Sequence, residues 1–277
     1  FPVGLSMSLL LTVALTRPTF QAYRTVRLEK EPLAPFITVQ QQTTSESTLI
    51  VLAQPTLLEQ LQPYLPDQSI SLMPYAWPET DAADWLARHT KGSDTVWLLF
   101  DNSQETGRQL VDNGRSWLQT NTCPALETWY GNVWAGNYVT TPAGDWKTAV
   151  HPFSGNVTLL AYTNPPTALS PGDAFCIQLH WAAQAPLETG HSIFIHVLDE
   201  NGQVVAQNDL LPNPGMAAWT AGEEVTTRHG LILPTLLPPG AYEIRAGLYD
   251  PATGARLPLQ SGADSVLLGN AVSSSSD

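Results

Sequence analysis

The side chains through which this chain could ligate, attack or stack are its six histidines, two cysteines and nine tryptophans. His180, His191, His196 and His229 fall late in the sequence, and Asp209 follows His196 at about the distance of a hairpin. A His/Asp set is metal-ligand chemistry. No two histidines stand at i, i+2 or i, i+4, however. A lone strand histidine ordinarily satisfies itself with a hydrogen bond, so no metal site is predicted. Asp199-Glu200-Asn201-Gly202 has the look of the start of a calcium loop but lacks the bidentate glutamate at its far end. An acidic hairpin tip is the simpler reading. Cys123 precedes Pro124 with no histidine near it in sequence, and no G-x-S-x-G occurs. Paired carboxylates for glycoside hydrolysis are not singled out by spacing. No catalytic residue and no cofactor are predicted.

Stacking is the chemistry with more support. Residues 127–150 are rich in aromatics and glycine, with Trp129, Tyr130, Trp134, Tyr138 and Trp146 in strand-like stretches and turns at Gly131 and Gly136. A broad aromatic face with polar neighbours can hold a sugar ring. Trp129, Trp134, Trp146 and Trp219 are the carbohydrate-binding candidates. The competing role for all four is packing inside a core or between domains.

Composition narrows the partners. The 277 residues carry 12 Lys+Arg against 25 Asp+Glu, a net charge of -13, which argues against nucleic acid. Only 13% of residues are charged and 43% are hydrophobic, so the chain can build cores and is no acidic disordered tail. The 23 prolines indicate many turns and loops. Lysine is scarce and Thr, Ser, Pro and Trp are plentiful, which suggests an extracytoplasmic protein. Cys123 and Cys176 are too few for a disulfide framework. They can form one bridge in an oxidising compartment, but their separation and their placement in different domains favour two unbridged residues.

The elements that must position these side chains read as follows. Phe1–Thr16 has no charge and is shorter than the roughly 20 residues that span a bilayer. It reads as part of a membrane span or anchor, ahead of a signal remnant or a core segment. Arg17, Arg24, Arg27 and Lys30 against Glu29 give residues 1–30 a net of +3 and leave -16 for the rest. A basic flank of this kind usually faces the cytoplasm, though it can also lie against anionic head groups. Residues 31–47 look like a linker. From Thr48 to Gln119, strand and helix patterns alternate three times, the signature of a parallel α/β sheet. The first strand runs into Gln54-Pro55-Thr56 without the glycines that a dinucleotide site needs.

From about residue 155 the pattern changes to seven short strands, punctuated by Pro171-Gly172-Asp173, Asn201-Gly202, Pro239-Gly240 and Thr253-Gly254. The predicted class is α+β in two domains: a small Rossmann-like α/β layer followed by an immunoglobulin-like antiparallel β-sandwich. The predicted limits are an anchor segment over 1–30, a linker over 31–47, a degenerate α/β domain with an aromatic β extension over 48–150, the sandwich over 151–270, and a disordered tail over 271–277.

This layout resembles the C-terminal extracytoplasmic region of bacterial membrane glycosyltransferases of the dolichyl-phosphate-mannose mannosyltransferase-like family. The likeness rests on Asp94-Thr95-Val96-Trp97-Leu98-Leu99 and Trp129-Tyr130-Gly131, and above all on runs of the sandwich. These are Phe194-Ile195-His196-Val197-Leu198-Asp199, Trp219-Thr220-Ala221-Gly222-Glu223, Leu237-Pro238-Pro239-Gly240-Ala241-Tyr242 and Gly247-Leu248-Tyr249-Asp250-Pro251-Ala252. The resemblance implies a non-catalytic part of an enzyme that uses a lipid-linked sugar donor. That part would be tethered to the membrane by the N-terminal segment, lie outside the cytoplasm, and bind a glycan or acceptor or space the assembly. The family's catalytic acid lies in an early outer loop that has no counterpart here. The alternative is a cell-surface structural or carbohydrate-binding sandwich protein without enzymatic activity. A third reading is a small enzyme with its site in a cleft between the domains.

Overall fold

The computed structural model describes residues 33–43, 47–65, 69–73, 79–104, 108–185 and 190–274. The first part runs α1 (Ala34–Thr43), β1 (Thr48–Leu52), α2 (Pro55–Leu61), β2 (Ser69–Leu72), α3 (Glu79–His89), β3 (Thr95–Asp101), α4 (Arg108–Asn121), β4 (Cys123–Tyr130) and β5 (Val133–Val139). Its sheet has the order β2-β1-β3-β5-β4. β1 is buried along its whole length, and β3 up to Asp101, because helices cover both faces. Alternate residues serve opposite cores. Val51, Val96 and Leu98 pack with Leu86, Val111 and Leu118 on one side. Ile50, Leu52, Trp97 and Leu99 pack with Phe36, Leu57 and Leu61 on the other. Pro55 opens α2, where its missing N–H leaves no bond unmade. Gln54 is buried and pins β1 to β3: its amide accepts from the Asp101 N–H at 3.0 Å and donates to the Asp101 carbonyl at 3.2 Å.

The second part is a sandwich of β6 (Trp146–Pro152), β7 (Val157–Thr163), β8 (Ala168–Leu169), β9 (Ala174–Ala183), β10 (Ser192–Leu198), β11 (Val204–Leu210), β12 (Glu224–Ile232), β13 (Gly240–Tyr249), β14 (Arg256–Leu257) and β15 (Val266–Ser273). One sheet is ordered β12-β9-β7-β6. The other is ordered β11-β10-β13-β15-β8, with β14 beside β13. The period-2 pattern of β9 resolves as predicted: Phe175, Ile177, Leu179 and Trp181 enter the core and meet Ile193, Ile195, Ile244 and Leu248 from the facing sheet.

The two parts meet at a covalent and polar seam. Cys123 on β4 and Cys176 on β9 form a disulfide, with Cα atoms 5.7 Å apart, inside a small apolar cluster with Val139. The expectation of two unbridged cysteines is thus corrected: the packing of β4 on the sandwich brings them together across a sequence separation of 53. Beside the bridge, Gly230 admits the Cys123 carbonyl; a Cβ there would lie 2.4 Å from that oxygen. A chain of buried hydrogen bonds crosses the seam. Trp181 Nε1–H donates to Thr227 Oγ1 at 3.0 Å, and the Thr227 hydroxyl donates to His229 Nε2 at 3.0 Å. His229 Nδ1–H donates to Asn208 Oδ1 at 2.8 Å, and Asn208 Nδ2 donates to the carbonyls of Pro124 and Ala125, each at 3.0 Å.

The predicted fold class is corrected. The chain is mostly β, with fifteen strands against four short α-helices among the described residues, and no Rossmann-like layer forms. The first sheet is mixed. β1 pairs in parallel with β2 and β3, but β5 runs antiparallel to both β3 and β4. The segment read as an aromatic extension supplies two of the five strands, because the β4–β5 hairpin zips onto β3 along its length. Residues read as a linker carry α1, which forms because Phe36 reaches the sheet and sets its ring edge-on to Trp97 at 5.1 Å. The predicted anchor over 1–30 lies outside the described residues, as do residues 275–277 of the predicted tail. Among the described residues no helix is long and apolar enough to cross a membrane.

Candidate functional site

The β4–β5 hairpin and α4 build a groove from the bottom up. Trp129 and Trp134 are direct cross-strand partners, so both point to the face that α4 covers. Gly136 lies on the same face, and the Trp134 and Tyr138 rings close over it; a Cβ would come within 2.7 and 2.9 Å of them. That close approach draws Trp134 into the core at 8% exposure, whereas Trp129, its partner on the outer strand of the sheet, keeps 56%. The turn itself needs Gly131, whose φ is 61°.

Polar groups surround the indoles and are held in place. Arg115 lies over the Trp134 ring at 5.2 Å and grips Glu127 with two N–H groups, Nε to Oε1 at 3.0 Å and Nη2 to Oε2. Glu127 Oε1 also accepts from Gln119 Nε2 at 3.1 Å and from the Tyr138 hydroxyl at 3.3 Å. Burial and then the Glu127 charge push the Tyr138 phenol far above its ordinary pKa, so it stays a donor. Burial works against the charge on Arg115, but its bond to Glu127 prevails and raises its pKa. Arg108, Asp112 and Asn102 complete a groove of about 390 Å³. The arrangement can stack and hydrogen-bond a ligand. Its carboxylate Glu127 is saturated with donors.

The remaining predicted candidates separate. Trp146 stands on β6, the edge of the four-stranded sheet, 50% exposed, and meets the His180 ring edge-on at 6.3 Å. His180 is held by Glu224 at 2.8 Å and Thr226 at 3.1 Å, so the neighbour of Trp146 is a polar group already engaged within the sheet. Trp219 is corrected as a sugar-binding candidate: it is 1% exposed in the sandwich core, and its indole N–H donates to the Pro214 carbonyl at 3.2 Å. His196 and Asp209 do come together, at 3.5 Å. His229 is consumed by the seam. Asp199 Oδ1 accepts the N–H groups of Asn201 and Gln203, so it closes its own turn. Among the described residues no group of three or more His, Cys, Asp and Glu is placed to hold a metal.

A second groove, of about 460 Å³, lies at the seam between α4 and β12. It brings Ser116, Gln119 and Thr120 opposite Thr226, Thr227 and Arg228, a pairing that spacing along the chain could not reveal. No carboxylate, imidazole or thiol is among the described side chains that line it. The role of Arg115, Gln119 and Glu127 was also missed by sequence reading, since a helix and a hairpin bring them together. The Trp129/Trp134 pair was legible only as two aromatics flanking a turn glycine.

No family model and no curated protein matches the chain. Among solved structures it is similar to the C-terminal domain of Wzt, at 12% identity over 48% of this chain and 83% of that one, with a TM-score of 0.34. It is also similar to a glycosyl hydrolase family 2 member from Bacteroides cellulosilyticus, at 12% identity over 49% of this chain and 20% of that one, with a TM-score of 0.28. A β-glucuronidase of glycoside hydrolase family 2 matches at 9% identity over 46% and 13%, with a TM-score of 0.25. Scores this low carry no argument. The sandwich rests on the strand pairing of this chain itself.

Proposed function

We propose that this chain is a non-catalytic glycan-binding region, and that the Trp129 groove is its binding site. The observation that supports this reading is the half-exposed Trp129 indole standing beside Arg115 and Glu127, which are locked by mutual hydrogen bonds before any ligand arrives. A pre-set polar wall lowers the ordering cost of binding, and an exposed aromatic face supplies contact area. The sequence resemblance suggests the parent: a membrane glycosyltransferase with a lipid-linked sugar donor, for which this region holds acceptor or glycan on the outer side. The buried Cys123–Cys176 bridge fits an oxidising, extracytoplasmic compartment. The seam that joins the two parts favours a rigid arm, so that the sandwich spaces the groove.

A glycan array probed with the full chain tests the groove. Binding to at least one oligosaccharide is expected, with at least a tenfold loss in Trp129→Ala and an unchanged far-UV circular dichroism spectrum. No binding to any glycan, or binding that Trp129→Ala leaves intact, overturns the reading. The parent is tested by the encoding reading frame. Several membrane helices with acidic residues in the first outer loop are expected upstream of Phe1, and a frame that starts just before Phe1 with a signal peptide overturns it.

A further inference from the structure

The donor and acceptor inventory of the Trp129 groove is lopsided. An arginine carries five N–H donors and accepts nothing. Arg115 uses its Nε–H and one Nη2–H on Glu127 and has the Tyr138 hydroxyl as a further partner, which leaves two unspent among the described residues. Among the described residues Arg108 donates one to the neutral Asn102 side-chain oxygen, which leaves four. Glu127, the natural acceptor, is already occupied by Arg115, Gln119 and Tyr138. Asp112, one helical turn beyond Arg108, also lines the groove, and no ion pair joins it to Arg108 among the described residues. The groove therefore offers a surplus of guanidinium N–H groups around one exposed indole.

We infer that the ligand taken by this groove is an acidic sugar, one that bears a carboxylate on or near the ring stacked on Trp129; this rests on the groove being a glycan site. A hydroxyl that accepts an N–H must still donate its own proton, and the groove has few acceptors left for it. A carboxylate accepts from two N–H groups at once and needs no acceptor in return. Arg108 is exposed and its charge meets no carboxylate among the described residues, so it receives the acid group, while Asp112 takes a ring hydroxyl. The chain's net charge of -13 does not forbid this. At physiological salt, charges beyond about 8 Å are largely screened, so the guanidiniums inside the groove dominate over the distant carboxylates.

The experiment is calorimetric titration of the full chain with a panel of uronate oligosaccharides and the same oligosaccharides with their carboxyls reduced to primary alcohols. At least tenfold tighter binding of an acid form is expected, narrowing as salt is raised. Arg108→Gln brings the acid form down to the affinity of its reduced counterpart, Arg108→Lys keeps part of the difference, and Trp129→Ala loses both forms. Equal binding of acid and reduced forms, both lost in Trp129→Ala, overturns the acidic-sugar inference and leaves the glycan reading standing. No binding of any member of the panel, together with a blank glycan array, overturns both. Because Arg108 is exposed on the surface, its replacement does not threaten folding.

Discussion

His229 shows how much a single side chain can commit. It is fully buried, and desolvation lowers its pKa from 6.5 to about 3. Its neutral ring accepts from Thr227 and donates to Asn208, so a proton on Nε2 would break the chain of bonds that crosses the seam. Below pH 6.5 the unfolded chain takes up a proton here that the folded chain refuses until about pH 3. Its contribution is therefore intact above about pH 6.5 and is lost as pH falls toward 3, with a slope of up to about 1.4 kcal/mol per pH unit. Urea unfolding between pH 7 and pH 4 measures that slope, and His229→Gln should flatten it; equal slopes in both proteins would refute the assignment. The tryptophans divide by burial in the same way. Trp219→Ala opens the sandwich core and should cost about 3–5 kcal/mol, whereas Trp129→Ala should stay within about 0.5 kcal/mol by the same denaturation measurement.

At the scale of elements, the β4–β5 hairpin does two things at once. Its outer end presents Trp129, and its inner end carries Cys123 and Val139 into the seam. Gly136 sits between these ends under two aromatic rings. A methyl group there would lie 2.9 Å from the Tyr138 hydroxyl and 2.7 Å from the Trp134 indole, and both rings are hemmed in by core neighbours. Gly136→Ala should cost about 1–3 kcal/mol in chemical denaturation and weaken glycan binding by displacing the floor under Arg115. A variant that unfolds like the parent and binds as well would show that the floor yields without consequence. Helix α4 has the complementary task, since Arg108, Asp112, Arg115 and Gln119 recur at helical spacing and share one face.

At the scale of the whole molecule, the disulfide makes one body of two. It closes a loop across a sequence separation of 53, for which the chain-entropy account gives about 4 kcal/mol. Replacing both cysteines by serine should lower stability by about 2–4 kcal/mol. It should also expose the connection between Val139 and Trp146 to limited proteolysis before either part is digested. A double variant with unchanged stability and an unchanged cleavage pattern would show that the bonds from Asn208 to Pro124 and Ala125 and the Gly230 contact hold the seam without the disulfide.

The sequence by itself determined what is local. Alternation located β9 and its inward faces, short apolar runs located β1 and β3, and turn glycines located the hairpins, because side-chain direction along a strand follows from the next few residues. Its residues also showed that the first turn lacks a phosphate-binding glycine, and Gln54 now fills that place. Tertiary structure alone decided what touches what. It set β5 antiparallel on β3 and so made the first sheet mixed, drew Cys123 to Cys176, sent Trp219 inward and left Trp129 outside, and gathered Arg115, Gln119 and Glu127 from two elements into one groove. The physical reason is that buried area and hydrogen bonds between distant segments select the partners, and no local periodicity records which segment will be opposite.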